Sequence, residues 1–140
     1  MILDAEQQFS DAQALTATAA STNYINLSAD RDIGRGEPMA VVITVGVALA
    51  GTSPTFLPSI ETDDNTGFAS ATTLISGQTY TALAVGDKIV LPVPHTNEQY
   101  IQVRYTLGGT TPTVTVDAYL QPLSMVEASD TTYADGYSIT

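Results

Sequence analysis

Cysteine and tryptophan are both absent from this 140-residue chain, and it contains a single histidine. The absence of cysteine excludes a disulfide framework, a thiolate nucleophile and a cysteine-ligated zinc site. The Gly-x-Ser-x-Gly, His-Glu-x-x-His and P-loop motifs are missing as well. We therefore predict that the protein is not an enzyme and that it binds no cofactor and no metal.

Basic residues are scarce in this sequence. Four Lys and Arg residues stand against 15 Asp and Glu residues, which gives a formal net charge of −11. Because phosphate neutralisation needs clustered Lys and Arg, this composition argues against a nucleic-acid partner. An anionic membrane surface is disfavoured for the same reason. The hydrophobic content of 44% in turn argues against a disordered chain.

Long hydrophobic runs are also lacking. The longest apolar stretch, residues 39–50, is too short to cross a bilayer. The N-terminus does not show a basic segment followed by an apolar one. We therefore expect a soluble protein that is made without an export signal, and the length suits a single domain.

Residues that favour strands are abundant, and turn-forming residues interrupt them at short intervals. Thr, Val, Ile and Tyr are frequent, and Gly and Pro recur along the chain. Apolar and polar residues alternate over 100–107 and over 113–120, and we interpret these two segments as a hairpin around Gly108 and Gly109. The pattern predicts an all-β antiparallel sandwich or barrel of about eight strands.

The two ends of the sequence differ from its middle. Residues 1–13 are polar, residues 14–120 contain the strand pattern, and residues 121–140 carry acids but no base. We interpret these segments as an N-terminal arm, a β-sandwich and an acidic C-terminal tail. Two alternatives stay open: a helix over residues 4–15, and a tail that is loose rather than laid across another subunit.

Two features come closest to a chemical site. His95 lies between prolines and polar residues, and we interpret it as a solvated or structural side chain. The turn at residues 61–67 contains closely spaced carboxylates and an amide, which are the oxygen ligands that calcium takes. As an EF-hand loop the turn fails, because the twelfth position is Leu74. We therefore favour a hairpin turn over a cation site.

Arginine is the residue type most suited to anchor a partner here. Arg31 and Arg35 lie beside acids in the segment 30–38, where either a locally ion-paired loop or a partner contact is consistent with the sequence. Arg104 alternates with apolar neighbours in its strand, so we expect it to face outward.

Several short segments occur in a fixed order and spacing over residues 1–120. They are Met1-Ile2-Leu3-Asp4-Ala5, Phe9-Ser10-Asp11-Ala12-Gln13-Ala14, Ser21-Thr22-Asn23, Ile25-Asn26-Leu27, Arg31-Asp32-Ile33-Gly34-Arg35-Gly36-Glu37-Pro38, Glu61-Thr62-Asp63-Asp64-Asn65 with Phe68, and Tyr100-Ile101-Gln102-Val103-Arg104-Tyr105. Together they resemble a family of tailed-bacteriophage capsid cement proteins, which are also called decoration proteins.

The resemblance implies a jelly-roll fold and a structural role on the outer surface of the virion. It implies binding across joints between subunits of the major capsid protein, after assembly in the host bacterial cytoplasm, and stabilisation of the shell against DNA pressure. It also implies a homo-oligomer, for which we favour a dimer over a trimer, and it supplies no catalytic residues.

Extended termini can add a strand to a neighbour's sheet, so we expect the N-terminal arm, and with it residues at its start, to contact partners. The predicted partner-binding residues are Ile2, Leu3, Phe9, Arg31, Arg35 and Arg104. The main alternative is a carbohydrate- or receptor-binding module of a phage tail or fibre. In that case an aromatic platform would be drawn from Tyr24, Tyr80, Tyr100 and Tyr119.

Overall fold

The computed structural model describes residues 5–29 and 38–123, and nearly all of these residues belong to strands or to the turns between them. After a 3-10 turn at Ala5–Gln7, the strands are β1 (Gln8–Leu15), β2 (Ala19–Ala20), β3 (Ile25–Asn26), β4 (Met39–Asp63), β5 (Thr72–Ser76), β6 (Lys88–Pro92) and β7 (Tyr100–Pro122). Every strand pairing is antiparallel. The prediction of an antiparallel all-β protein is confirmed.

Two long strands, β4 and β7, form the frame of the sheet. They pair along their whole lengths, from Met39 opposite Pro122 to Asp63 opposite Tyr100. Four register shifts interrupt the pairing, and all of them fall between Val45 and Thr55. Bulges bend the strands in which they occur and increase their twist, so both strands turn at the same place.

The bend divides one continuous sheet into two layers. The first layer contains β1, the C-terminal half of β7, the N-terminal half of β4, and β6. The second layer contains β2 and β3, the N-terminal half of β7, the C-terminal half of β4, and β5. With β2 and β3 counted as one interrupted strand, this arrangement agrees with the predicted sandwich of about eight strands.

Glycines at the bend allow the backbone to turn. Gly51 has a φ of 129° and Gly109 a φ of 94°, a region that side chains other than glycine rarely adopt. A Cβ atom at Gly51 would lie 2.8 Å from the carbonyl oxygen of Thr111. The hairpin predicted at Gly108 and Gly109 is wrong, because both flanking segments belong to β7 and the glycine pair bends that strand instead of reversing it.

The core lies between the two layers and takes alternate residues from each. Val41 and Ile43 of the first layer share one buried cluster with Ile101 and Val103 of the second. The ring of Phe56 stacks on the ring of Tyr105 with centroids 5.8 Å apart, so it belongs to the same core. Such close packing of interlocking side chains fixes the distance between the layers.

A hydrogen bond joins the two layers inside the core. The hydroxyl of Ser10 in β1 lies 2.7 Å from the hydroxyl of Tyr105 in β7, and the Ser10 hydroxyl also donates to Oε1 of Gln13 at 2.6 Å. Burial raises the pKa of Tyr105 well above its usual value, the hydrogen bond with Ser10 lowers it somewhat, and the Asp117 carboxylate raises it. Tyr105 therefore stays protonated in the folded protein.

The segment interpreted as an N-terminal arm enters the protein's own sheet. Strand β1 pairs with β7, from Gln8 opposite Tyr119 to Leu15 opposite Val114. The alternative of a helix over residues 4–15 is wrong for residues 8–15, which form this strand. The boundary drawn at residue 13 falls inside β1, whereas residues 1–4 and 124–140 of the two predicted end segments lie outside the described residues.

Candidate functional site

Four of the six predicted partner-binding residues, Ile2, Leu3, Arg31 and Arg35, lie outside the described residues. Phe9 is placed in the core with 0% of its surface exposed. Its position gives it a packing role in this chain, and its side chain does not reach the surface. Phe9 was predicted to bind a partner because residues 1–13 were interpreted as an arm. The sequence did not show that β1 is an integral strand of the sheet.

Arg104 lies on the outer face of the second layer, as its alternation predicted. It pairs with Ser59 of β4 on one side and with Ala20 of β2 on the other, and it is half-buried. The neighbouring outward side chain, Gln102, donates from Nε2 to Oε1 of Glu61 at 2.9 Å. Within residues 5–29 and 38–123, no carboxylate forms an ion pair with Arg104.

The acidic turn at residues 61–67 is built around the Asp63 carboxylate, which is only 2% exposed. Its Oδ1 accepts hydrogen bonds from the backbone N–H groups of Asp64 at 2.6 Å and Asn65 at 3.3 Å, and its Oδ2 accepts one from Ser70 at 2.8 Å. The Oδ1 of Asn65 in turn accepts from the N–H of Gly67 at 3.2 Å. The turn interpretation is confirmed.

A cation would have to compete with these backbone donors for the Asp63 oxygens. The described residues also contain no group of three or more His, Cys, Asp or Glu side chains placed to bind a metal. The Asp63 carboxylate therefore has a structural role in this turn. It fixes the backbone from Asp63 to Ser70 and so determines where the side chains of that segment lie.

The side chain that this turn positions is Phe68. Its backbone adopts a φ of 50°, and this left-handed conformation is rare for a bulky residue. The backbone N–H of Phe68 donates to the carbonyl oxygen of Asn65 at 3.3 Å. Such strain persists where surrounding contacts impose it, and it is concentrated at functional positions. Here the hydrogen bonds of Asp63 impose the strain.

Phe68 belongs to a group of three aromatic rings on the surface. The ring centroids of Tyr24 and Phe68 are 6.1 Å apart with a tilt of 57°, and those of Tyr24 and Tyr100 are 5.5 Å apart with their planes at 84°. Tyr24 is 45% exposed, whereas Phe68 and Tyr100 are half-buried. We call these three residues the aromatic surface. Each ring contact is favourable, so the side chains support one another.

An open cleft borders the aromatic surface on one side. It has a volume of about 640 Å³, and Tyr24 forms part of its lining. The acidic residue Glu6 lies on its wall together with apolar side chains such as Met39 and Leu120. Tyr24 therefore belongs both to the aromatic surface and to the lining of the cleft.

The other sequence candidates lie elsewhere. Of the four tyrosines considered as a platform, only Tyr24 and Tyr100 come together. Tyr80 packs against the core, and Tyr119 packs beside Val42 on the outer face of the first layer. His95 is exposed in the segment between β6 and β7.

The sequence reasoning did not identify Phe68 as one of three rings in contact. The available signal was the Asp-Asp-Asn-Thr-Gly sequence just before it, because Asp and Asn at such positions bind nearby backbone N–H groups and fix the following residues. The approach of Tyr24 and Tyr100 to Phe68 depends on strand register, which the pattern of residue types does not specify here.

Comparison with known families gives one assignment. The sequence model of the Bbp16 family matches residues 9–120, which is well over half of the chain. The match covers all seven strands apart from Gln8 of β1 and the last two residues of β7. A search of curated proteins finds no match. Among residues 5–29 and 38–123, no helix is long and apolar enough to cross a membrane. The chain belongs to the Bbp16 family, which is a phage-associated family.

Proposed function

We propose that this protein is a capsid cement protein. It binds the outside of a phage head, across the joints between subunits of the major capsid protein, and it stabilises the shell against the pressure of the packaged DNA. It acts as a homo-oligomer, for which a dimer is favoured. The observation that carries this proposal is membership of a phage-associated family over residues 9–120, together with the sequence resemblance to cement proteins.

The architecture supports a mechanical role. Strands β4 and β7 are 25 and 23 residues long, and each runs through both layers of the sandwich. A load applied to one layer is therefore carried to the other by two paired backbones, and no flexible linker intervenes. The buried contact between Ser10 and Tyr105 adds a cross-link between β1 and the second layer.

The surface chemistry supports attachment to a protein shell. The aromatic surface offers large rings in fixed orientations, and tyrosine is enriched among the residues that dominate interface energetics. Because the rings already contact one another, little side-chain entropy is lost when a partner covers them. The net charge of −11 suits contact with basic patches and also keeps the outer side of the protein soluble.

Reconstitution on phage heads that lack the protein tests this proposal. We expect the purified chain to co-sediment with the heads at a saturating ratio set by the number of joints, and to raise the temperature at which DNA is released. Bovine serum albumin at the same concentration serves as a control for trapping in the pellet. A chain that stays in the supernatant, or that binds without any change in head stability, contradicts the cement function.

One observation favours the alternative of a carbohydrate- or receptor-binding module. Tyr24 is exposed and borders an open cleft that Asn26 also lines, and an aromatic residue beside a polar one suits a sugar. A glycan array distinguishes the two functions. Binding to defined glycans without co-sedimentation with heads supports the receptor module, whereas co-sedimentation without a glycan signal supports the cement protein.

A further inference from the structure

The aromatic surface has an acidic border. Asp64 is exposed in the same turn as Phe68, and Glu98 lies two residues before Tyr100. Glu6 lines the cleft together with Tyr24. Glu98 is held in place because its Oε1 accepts a hydrogen bond from the Thr62 hydroxyl at 2.5 Å. An apolar centre with a polar border is the usual anatomy of a protein–protein interface.

The shape of the centre favours insertion into a partner. The planes of Phe68 and Tyr100 are tilted by 57° and 84° from the plane of Tyr24, so the three rings do not form a flat platform. Their faces and edges point in different directions. Rings arranged in this way fit a pocket in a protein, in which the exposed ring is contacted on more than one side.

The structure of the turn also indicates that the Phe68 ring has a role beyond closing the turn. A carboxylate that is 2% exposed uses three hydrogen bonds to hold the loop, and the loop keeps Phe68 in a strained conformation beside Tyr24. A glycine at position 68 would close the same turn without strain. The turn chemistry alone therefore does not account for an aromatic residue there.

We propose that the aromatic surface is the docking site for a protein surface that has an apolar pocket flanked by Lys or Arg. The rings of Tyr24, Phe68 and Tyr100 fill the pocket, and the exposed Asp64 carboxylate lies opposite the basic side chains. This inference rests on the proposed function, under which the pocket belongs to the capsid shell. It deepens that function by assigning the contact to one side of the second layer.

Two substitutions test the inference on phage heads that lack the protein. Tyr24→Ala removes the most exposed ring, and Asp64→Lys reverses a border charge. We expect the first to weaken binding to heads at least tenfold, because central aromatic residues dominate interface affinity. We expect the second to weaken binding several-fold at low salt and less at high salt, because exposed charges are screened.

Matched controls separate the surface from general effects. Val85→Ala truncates an apolar residue that is 67% exposed elsewhere, and Asp11→Lys reverses an exposed acid on β1. Both should bind within about twofold of the wild-type chain, since surface changes away from a contact have small effects. Tyr24→Phe keeps the ring and should retain binding. Thermal melts show whether each variant is folded.

The outcomes for the inference and for the proposed function are distinct. If the wild-type chain binds heads and folded Tyr24→Ala and Asp64→Lys bind equally well, the inference is overturned and the cement function stands. If both controls lose binding as strongly as the two test variants, the assignment to this surface is likewise overturned. If the wild-type chain does not bind heads, the cement function and the inference that rests on it are both contradicted.

Discussion

The outer faces of the two layers carry different side chains, although β4 and β7 run through both. In the first layer, Val42 is 1% exposed and packs beside Tyr119, so this outer face includes a small buried apolar cluster. In the second layer, the outward positions of the same strands include Glu61, Gln102 and Arg104. The same two strands run behind both outer faces. The faces differ in the side chains that point outward, which are every second residue along each strand.

This difference separates stability from recognition. Burial of apolar residues on a second face of a layer adds to the free energy of unfolding, whereas polar and aromatic residues on an exposed face add little stability and remain available to a partner. Substitutions in the buried cluster of Ala40 and Val42 on the outer face of the first layer should therefore change stability. Substitutions on the exposed part of the second layer should change binding.

The largest expected effect concerns the core that both layers share. Because the pKa of Tyr105 is raised in the folded state, the unfolded chain releases this proton first as the pH rises. The contribution of Tyr105 to the free energy of unfolding is therefore complete below the ordinary tyrosine pKa of about 10. It is lost as the pH rises above that value. We expect cooperative alkaline unfolding of both layers, measured by circular dichroism in urea at several pH values.

Tyr105→Phe removes the ionisable group from the core. Because this variant lacks the hydrogen bond to Ser10, its free energy of unfolding should be lower by about 1 kcal/mol at neutral pH. Its stability should also fall less steeply above pH 10 than that of the wild-type chain. Tyr24→Phe, at an exposed ring, is the control and should keep the wild-type pH dependence. Identical pH profiles for Tyr105→Phe and the wild-type chain would contradict the argument.

The second prediction concerns the apolar cluster on the outer face of the first layer. Val42→Asp places an unpaired charge at a buried position, and we expect it to lower the free energy of unfolding by roughly 3 to 5 kcal/mol. Thr113→Asp, at an exposed position on β7 opposite Ala50, should change it by less than about 0.5 kcal/mol. Urea midpoints measure both effects. Equal midpoints for the two variants would remove the distinction between the faces.

The sequence predicted the strands better than it predicted their connections. Alternation in 100–107 and 113–120 identified the two halves of β7, because a half-buried strand needs that period. The same pattern cannot tell a bend from a reversal, since glycines permit both, and the hairpin at Gly108 and Gly109 was wrong for that reason. The outcome was decided by the pairing of β7 with β4 along its whole length.

The candidate site was only partly accessible from sequence. The turn at Asp63 was recognised because Asp and Asn bind adjacent backbone groups, a local interaction that sequence shows directly. The aromatic surface joins residues 24, 68 and 100, and their contact depends on strand register and on the left-handed backbone of Phe68. Neither can be derived from residue types alone.

The third prediction concerns the support of the aromatic surface. Asp63→Ala leaves the backbone N–H groups of Asp64, Asn65 and Ser70 without their acceptor. We expect a loss of roughly 2 to 3 kcal/mol in stability and faster hydrogen exchange at Ser70. Asp64→Ala, at an exposed neighbour, should leave stability nearly unchanged. Unaltered exchange at Ser70 in Asp63→Ala would show that other contacts hold the turn.

The smallest effect separates the strain at Phe68 from the contact that its ring makes. Phe68→Ala and Phe68→Gly both remove the ring, but only glycine adopts a φ of 50° without cost. The glycine variant should therefore be more stable than the alanine variant by about 1 kcal/mol, as measured by urea unfolding. Both should bind phage heads more weakly than the wild-type chain, because both lack the ring. Equal stability of the two variants would indicate that the loop relaxes once the ring is gone. Recovery of wild-type binding by the glycine variant would mean that the turn, and not the aromatic ring, makes the contact.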